Sequence, residues 1–175
     1  MLLPQGRRIV FLTVVVVFLG SYTYLTAPET QKAVGEEALQ RRVLEFDPQK
    51  VIRVEILHEG TGLVCQRTPE GWQVEPGMQK LRAGAMTDFL QGLVELVKVG
   101  EIAGGGKAFL EYGLDRPTSR ISLHSKGGDS HTLAVGLHNP VHTSVYAQVD
   151  DTPQVVLVGS VILWEVRKLF IVAKG

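Results

Sequence analysis

VIRVEILHEGTGLVCQRTPEGWQV, residues 51–74, changes sides residue by residue. Ile52, Val54 and Ile56 share one face and Arg53 and Glu55 the other, the period of a half-buried strand. Glu59-Gly60-Thr61-Gly62 turns the chain into Leu63–Arg67, where Leu63 and Cys65 point one way. Pro69-Glu70-Gly71 turns it again into Trp72-Gln73-Val74. Connections this short cannot carry a parallel crossover, so the three segments form an antiparallel meander.

Downstream the period lengthens. In Ala83–Val97 the apolar residues Met86, Phe89, Leu90, Leu93, Leu96 and Val97 recur at three- and four-residue spacings, opposite Asp88, Gln91 and Glu95. This predicts an amphipathic helix packed on the meander. Lys98–Ile102 reads as a short strand. Lys107–Tyr112 reads as a helical turn closed by Gly113 in a left-handed cap. Arg120–His124 and His131–Val135 read as strands around the Lys126-Gly127-Gly128-Asp129 turn. Val145–Val149 and Gln154–Val158 form a second hairpin, after an irregular loop over His138–Thr143. Ser160 is placed to cap a last helix, Val161–Val172, with Ile162, Val166, Leu169 and Phe170 inward. Strands in runs followed by helices specify an α+β body of antiparallel meander and hairpin sheets with two packed amphipathic helices. Its two halves share a loose layout, sheet then helix, without a visible sequence repeat.

Upstream, Ile9–Ala27 (IVFLTVVVVFLGSYTYLTA) contains no charge and no Pro. As a helix it would rise roughly 28 Å, close to the hydrocarbon thickness of a bilayer. It is expected to be one transmembrane helix, with Ile9, Phe11, Val15, Phe18, Leu19, Tyr22 and Leu25 as its membrane contacts. Arg7 and Arg8 precede it, while Glu29, Lys32, Glu36 and Glu37 follow. The N-terminus is therefore expected in the cytoplasm and the bulk of the chain outside the bacterial inner membrane. A cleaved signal peptide shares these features, but Pro28 directly after Ala27 disfavours cleavage. The organisation expected is a cytoplasmic 1–8, a transmembrane 9–27, a stalk over 28–43 and an extracytoplasmic domain over 44–175.

The composition narrows the chemistry. Setting Arg7 and Arg8 aside, 16 basic and 18 acidic side chains remain, which is no electrostatic footprint for nucleic acid. Cys65 is the one cysteine, so no intrachain disulfide forms, and its strand position marks it as a small buried hydrophobe. Gly104-Gly105-Gly106-Lys107 lacks the first Gly and the Ser or Thr of a phosphate loop. His138 and His142 are four apart, but Pro140 between them forbids the helix on which that spacing binds zinc. The loop is expected to be a solvated turn able to join a partner surface. Asp150-Asp151 and Glu36-Glu37 are adjacent acids that point apart into water. Ser119, Ser122, Ser125, Ser130 and Ser144 sit in no GxSxG elbow. No catalytic residue, metal or cofactor is expected. Trp164, Tyr112, His138 and His142 are the expected partner contacts.

Several of these segments resemble an uncharacterised bacterial domain family. Phe46-Asp47-Pro48, Gly71-Trp72-Gln73-Val74, Val135-Gly136, Asn139-Pro140 and Val145–Val149 follow its order. Tyr112-Gly113-Leu114-Asp115-Arg116-Pro117 matches its YGLD-x-P signature. The resemblance covers about Leu44–Phe170. It implies a body anchored by one N-terminal helix, accompanying ABC-type transporter subunits of the gliding-motility kind, and it supplies no catalytic residues. The expected function is a non-enzymatic membrane-anchored subunit that binds and stabilises a larger membrane complex. The alternative is a tethered ligand-binding or sensory module with a pocket between helix and sheet.

Overall fold

The computed structural model describes residues 14–22, 41–76, 79–102 and 107–174. The chain divides into two compact units, Met1–Gln40 and Arg41–Gly175. In the first, residues 14–22 are helical, and Val14, Val16, Val17, Phe18, Leu19 and Tyr22 are exposed. Of the expected membrane contacts, Val15, Phe18, Leu19 and Tyr22 lie on this stretch; Ile9, Phe11 and Leu25 lie outside the described residues. No helix among the described residues is long and apolar enough to cross a membrane. Most of the expected stalk, including Glu36 and Glu37, also falls outside them.

The second unit is α+β. Nine strands form one sheet: β1 Val51–His58, β2 Thr61–Thr68, β3 Gly71–Glu75, β4 Gln79–Lys80, β5 Lys98–Ile102, β6 Ser119–Ser125, β7 Ser130–His138, β8 Ser144–Val149 and β9 Val155–Gly159. Three helices accompany them: α1 Ala85–Val94, α2 Lys107–Glu111 and α3 Val161–Lys174. The strand order is β4-β3-β2-β1-β6-β7-β8-β9-β5, and every neighbouring pair is antiparallel.

This order contains a symmetry that the residues conceal. β1 and β6 pair at the centre, Val54 opposite Leu123 and Ile56 opposite Ile121. From each a four-strand meander runs outward and ends in a helix. α1 buries Met86, Leu90 and Leu93; α3 buries Ile162, Val166 and Leu169, the same i, i+4, i+7 triad. The two halves thus share one topology on either side of the β1/β6 ladder. β5 breaks the local pattern: after α1 the chain adds a strand beside β9, at the far edge of the other half.

One face of the sheet carries the core, with Val54, Ile56, Cys65, Ile121, Leu123, Leu133, Val135, Ala147 and Val158 under the two helices. A register shift between Val51 and Arg53 reverses the phase at the start of β1. Val51 is consequently buried, and Ile52, expected inward, is 41 % exposed. α1 is shorter than its apolar period. It starts after Gly84, which is left-handed at φ 85°, and stops at Val94. The Leu96 carbonyl accepts from Val43 N–H at 3.0 Å, and Arg41 O accepts from Lys98 N–H at 2.6 Å, so an extended pairing replaces the last helical turn. β4, two residues long, has no alternation for a sequence pattern to detect.

Among the described residues, the opposite face is covered over β7 to β9. There α2 and the residues after it form a strap. Leu114 N–H donates to Phe109 O at 2.7 Å and Leu137 N–H to Tyr112 O at 2.8 Å. Gly113 takes φ 69° as the expected left-handed cap. Gly136 lies so close beneath that a Cβ there would strike the Tyr112 carbonyl oxygen. Leu114, Ala134 and Val155 are buried in this second, smaller apolar layer.

Candidate docking surface

α1 and α3 pack side by side on the core face, and their outward sides diverge into a groove. Its floor is Leu96, Val97, Val99 and Val161, and its volume is about 570 Å³. Val99 is 64 % exposed and Val161 57 %. Asp88, Glu95 and Glu165 line the rim with Lys168. The rim is already structured: Gln91 donates to Glu95 at 2.8 Å, and Lys168 pairs with Glu165 at 2.7 Å. A smaller cavity of about 150 Å³ lies between the same helices, lined by Arg82, Phe89 and Ile171 among others. The volume of the larger groove falls in the range of ligand and peptide sites. α1 seals against the sheet through Met86, Leu90 and Leu93, all nearly fully buried, and the groove opens between α1 and α3 beside Val99 of β5 and Gly159 of β9.

The expected partner contacts do not form one site. Trp164 is 55 % exposed on the outward side of α3. Tyr112 is half-buried in the strap, stacked on Tyr146 at 4.1 Å between ring centres. His138 and His142 are exposed at the β7–β8 connection, with rings 5.4 Å apart. Asn139 shapes that connection: its Oδ1 accepts from Thr143 N–H at 3.0 Å and Ser144 N–H at 3.1 Å. Thr143 O then accepts Ser160 N–H at 3.2 Å, tying the loop to the start of α3. Ser160 holds the first turn of that helix through its carbonyl, which accepts from Leu163 N–H at 3.2 Å. Among the described residues no three His, Cys, Asp or Glu side chains converge to hold a metal.

The adjacent acids of the last hairpin have structural partners. Asp150 accepts from Thr132 N–H at 2.7 Å and pairs with His131 at 3.0 Å; Asp151 faces Arg120 at 3.4 Å. On the uncovered outer face Arg53 pairs with Glu55 at 2.8 Å and Glu75 at 3.2 Å. The hydrogen bond that Arg53 donates to Glu55, reinforced by the charge of Glu75, raises the Arg53 guanidinium above its ordinary value. Burial pushes the Cys65 thiol from 9.0 to about 11, so it stays protonated and inert. The glycine run at 104–106 lies outside the described residues.

Sequence inspection missed one pair. His58 and Ser119 are 61 positions apart, yet Nδ1 and Oγ meet at 2.7 Å where β1 and β6 adjoin. Ser119 is fully buried and His58 nearly so, beside Phe170. His58 Nε2 is buried without a partner among the described residues. A serine beside a base has the elements of a nucleophilic dyad. This one is closed to solvent and acts as a polar pin between the halves. Only the β1/β6 register brings the two together, and no local pattern signals it.

A family model described as Domain of unknown function (DUF4340) matches residues 97–163. No curated protein and no solved structure matches the chain. The matched segment runs from β5 into the first turn of α3. It therefore covers β5 to β9 together with the strap, including Tyr112, Gly113, Gly136 and Tyr146.

Proposed function

We propose that the chain is a non-enzymatic, single-pass, extracytoplasmic subunit of the bacterial inner membrane that binds and stabilises a larger membrane complex. An ABC-type transporter of the gliding-motility kind, suggested by the YGLD-x-P resemblance, or another multisubunit assembly is the partner. The observation that carries this reading is the open groove between α1 and α3, with its apolar floor and acidic rim. Such a surface takes an extended or helical segment bearing apolar and basic side chains. The uncharged Ile9–Ala27 stretch after Arg7 and Arg8 supports an anchor with the N-terminus in the cytoplasm. Anchoring confines both partners to one layer, so a modest interface suffices.

The test is photocrosslinking from Val99 and Val161 in membranes, with native electrophoresis after gentle solubilisation. Discrete adducts that comigrate with a larger complex are expected. A chain that forms no adduct and always migrates alone overturns the reading. The groove's volume also favours a second reading, a tethered ligand-binding module. A small molecule retained through purification and displaced by Val99→Asp would identify it.

A further inference from the structure

α3 is amphipathic on two sides. Ile162, Val166 and Leu169 face the core, while Trp164 and Ile171 point away from it, 55 and 62 % exposed. Trp164 and Ile171 are seven residues apart, two helical turns, and fall in one line. Exposed Arg167 and Lys168 flank that line, one on each side. Arg167 pairs with no carboxylate among the described residues. The nearest acid, Glu165, is turned towards the groove and paired with Lys168. Isolated apolar residues are common on protein surfaces. A tryptophan and an isoleucine aligned between two cations have the composition of a helix that rests in a membrane interface.

We infer that the outward face of α3 lies against an anionic phospholipid surface, with Trp164 and Ile171 at the headgroup–acyl boundary and Arg167 and Lys168 on phosphates. The inference rests on the membrane-anchored reading. The same chain presents a second lipophilic element, the exposed apolar helix at 14–22. A tethered body meets the bilayer at high effective concentration, so two apolar side chains and two charges are enough to hold it there.

The experiment uses the full chain carrying Trp72→Phe, which leaves Trp164 as its single tryptophan. It is reconstituted into phosphatidylcholine vesicles with or without about one third phosphatidylglycerol. Brominated lipids report the depth of Trp164, and carbonate extraction reports anchoring. Blue-shifted emission on the anionic vesicles is expected, with stronger quenching by bromines near the headgroup than by bromines deep in the acyl layer. Each cation near such a surface contributes roughly a five-fold preference. Arg167→Gln with Lys168→Gln should therefore lower the surface-bound to solvent-facing ratio about 25-fold.

A carbonate-resistant chain whose Trp164 stays solvent-exposed overturns the inference and leaves the anchor standing. Trp164 shielded from iodide yet unquenched by brominated lipid also overturns it, because a protein then covers the face. Release by carbonate overturns the anchor, while quenching before extraction still decides the face of α3.

Discussion

Replacing Gly136 by Ala tests how the strap is held. The added methyl would collide with the Tyr112 carbonyl oxygen, and it would also stand 3.1 Å from a Leu114 methyl and 3.2 Å from the Gly113 carbonyl carbon. Two of these neighbours are backbone and cannot rotate away, so the strap must lift. Lifting breaks the Leu137 N–H to Tyr112 O bond, worth about 1 kcal/mol net. It separates the Tyr112–Tyr146 stack, about 0.5–1.5 kcal/mol, and exposes part of Leu114, up to about 2 kcal/mol. The expected loss is about 2–4 kcal/mol. In urea unfolding that appears as a lower midpoint with an unchanged slope. Gly62→Ala is the control: like Gly136 it lies in a strand outside the left-handed region, but its Cβ would meet open space. Hydrogen exchange at the Leu137 amide should accelerate in Gly136→Ala alone. If Gly136→Ala unfolds within about 0.5 kcal/mol of the parent and Leu137 stays protected, the strap is not clamped there and the reasoning fails.

Ser119→Ala should cost about 1–3 kcal/mol by stripping buried His58 of its partner, whereas His58→Phe with Ser119→Ala should cost less than the two single changes added together; strict additivity in denaturation refutes the coupling. The Cys65 thiol keeps in the fold a proton that the unfolded chain releases, so its stabilisation is complete below about pH 9 and is lost as pH rises towards about 11. Titration with a chromogenic disulfide at pH 8 should find it slow until denaturant is added; immediate stoichiometric reaction contradicts its burial. Val99→Asp, at an exposed position on the groove floor, should leave the unfolding midpoint within about 0.5 kcal/mol while abolishing adducts from Val161. A variant that keeps its adducts removes the groove from the interface.

What the residues reveal ahead of the fold follows the range over which their forces act. The β1–β3 meander, the Gly113 cap and the core sides of both long helices are written in local alternation, turn chemistry and helical period, and all three are present. Ile52 misleads because a single bulge shifts phase, and a bulge leaves no mark in composition. Leu96 and Val97 carry helical spacing but are drawn into pairing with residues 41–43, where tertiary hydrogen bonds outweigh propensity. The His58–Ser119 pin and the groove depend on which strands become neighbours, which a single chain does not display. Tyr112 packs on Tyr146, and Trp164, which its helical position alone leaves as either core or surface, is exposed, because only the packed fold decides which side of a helix meets solvent.

The ladder between β1 and β6 joins one half of the chain to a topological twin of itself. A polypeptide reduced to residues 97–174 would bare the whole hydrogen-bonding edge of β6. An antiparallel edge of that kind is complementary to its own copy turned through 180°. Such a fragment is expected to sediment as a dimer closed by β6 against β6, an assembly the intact chain achieves alone by carrying both partners in tandem.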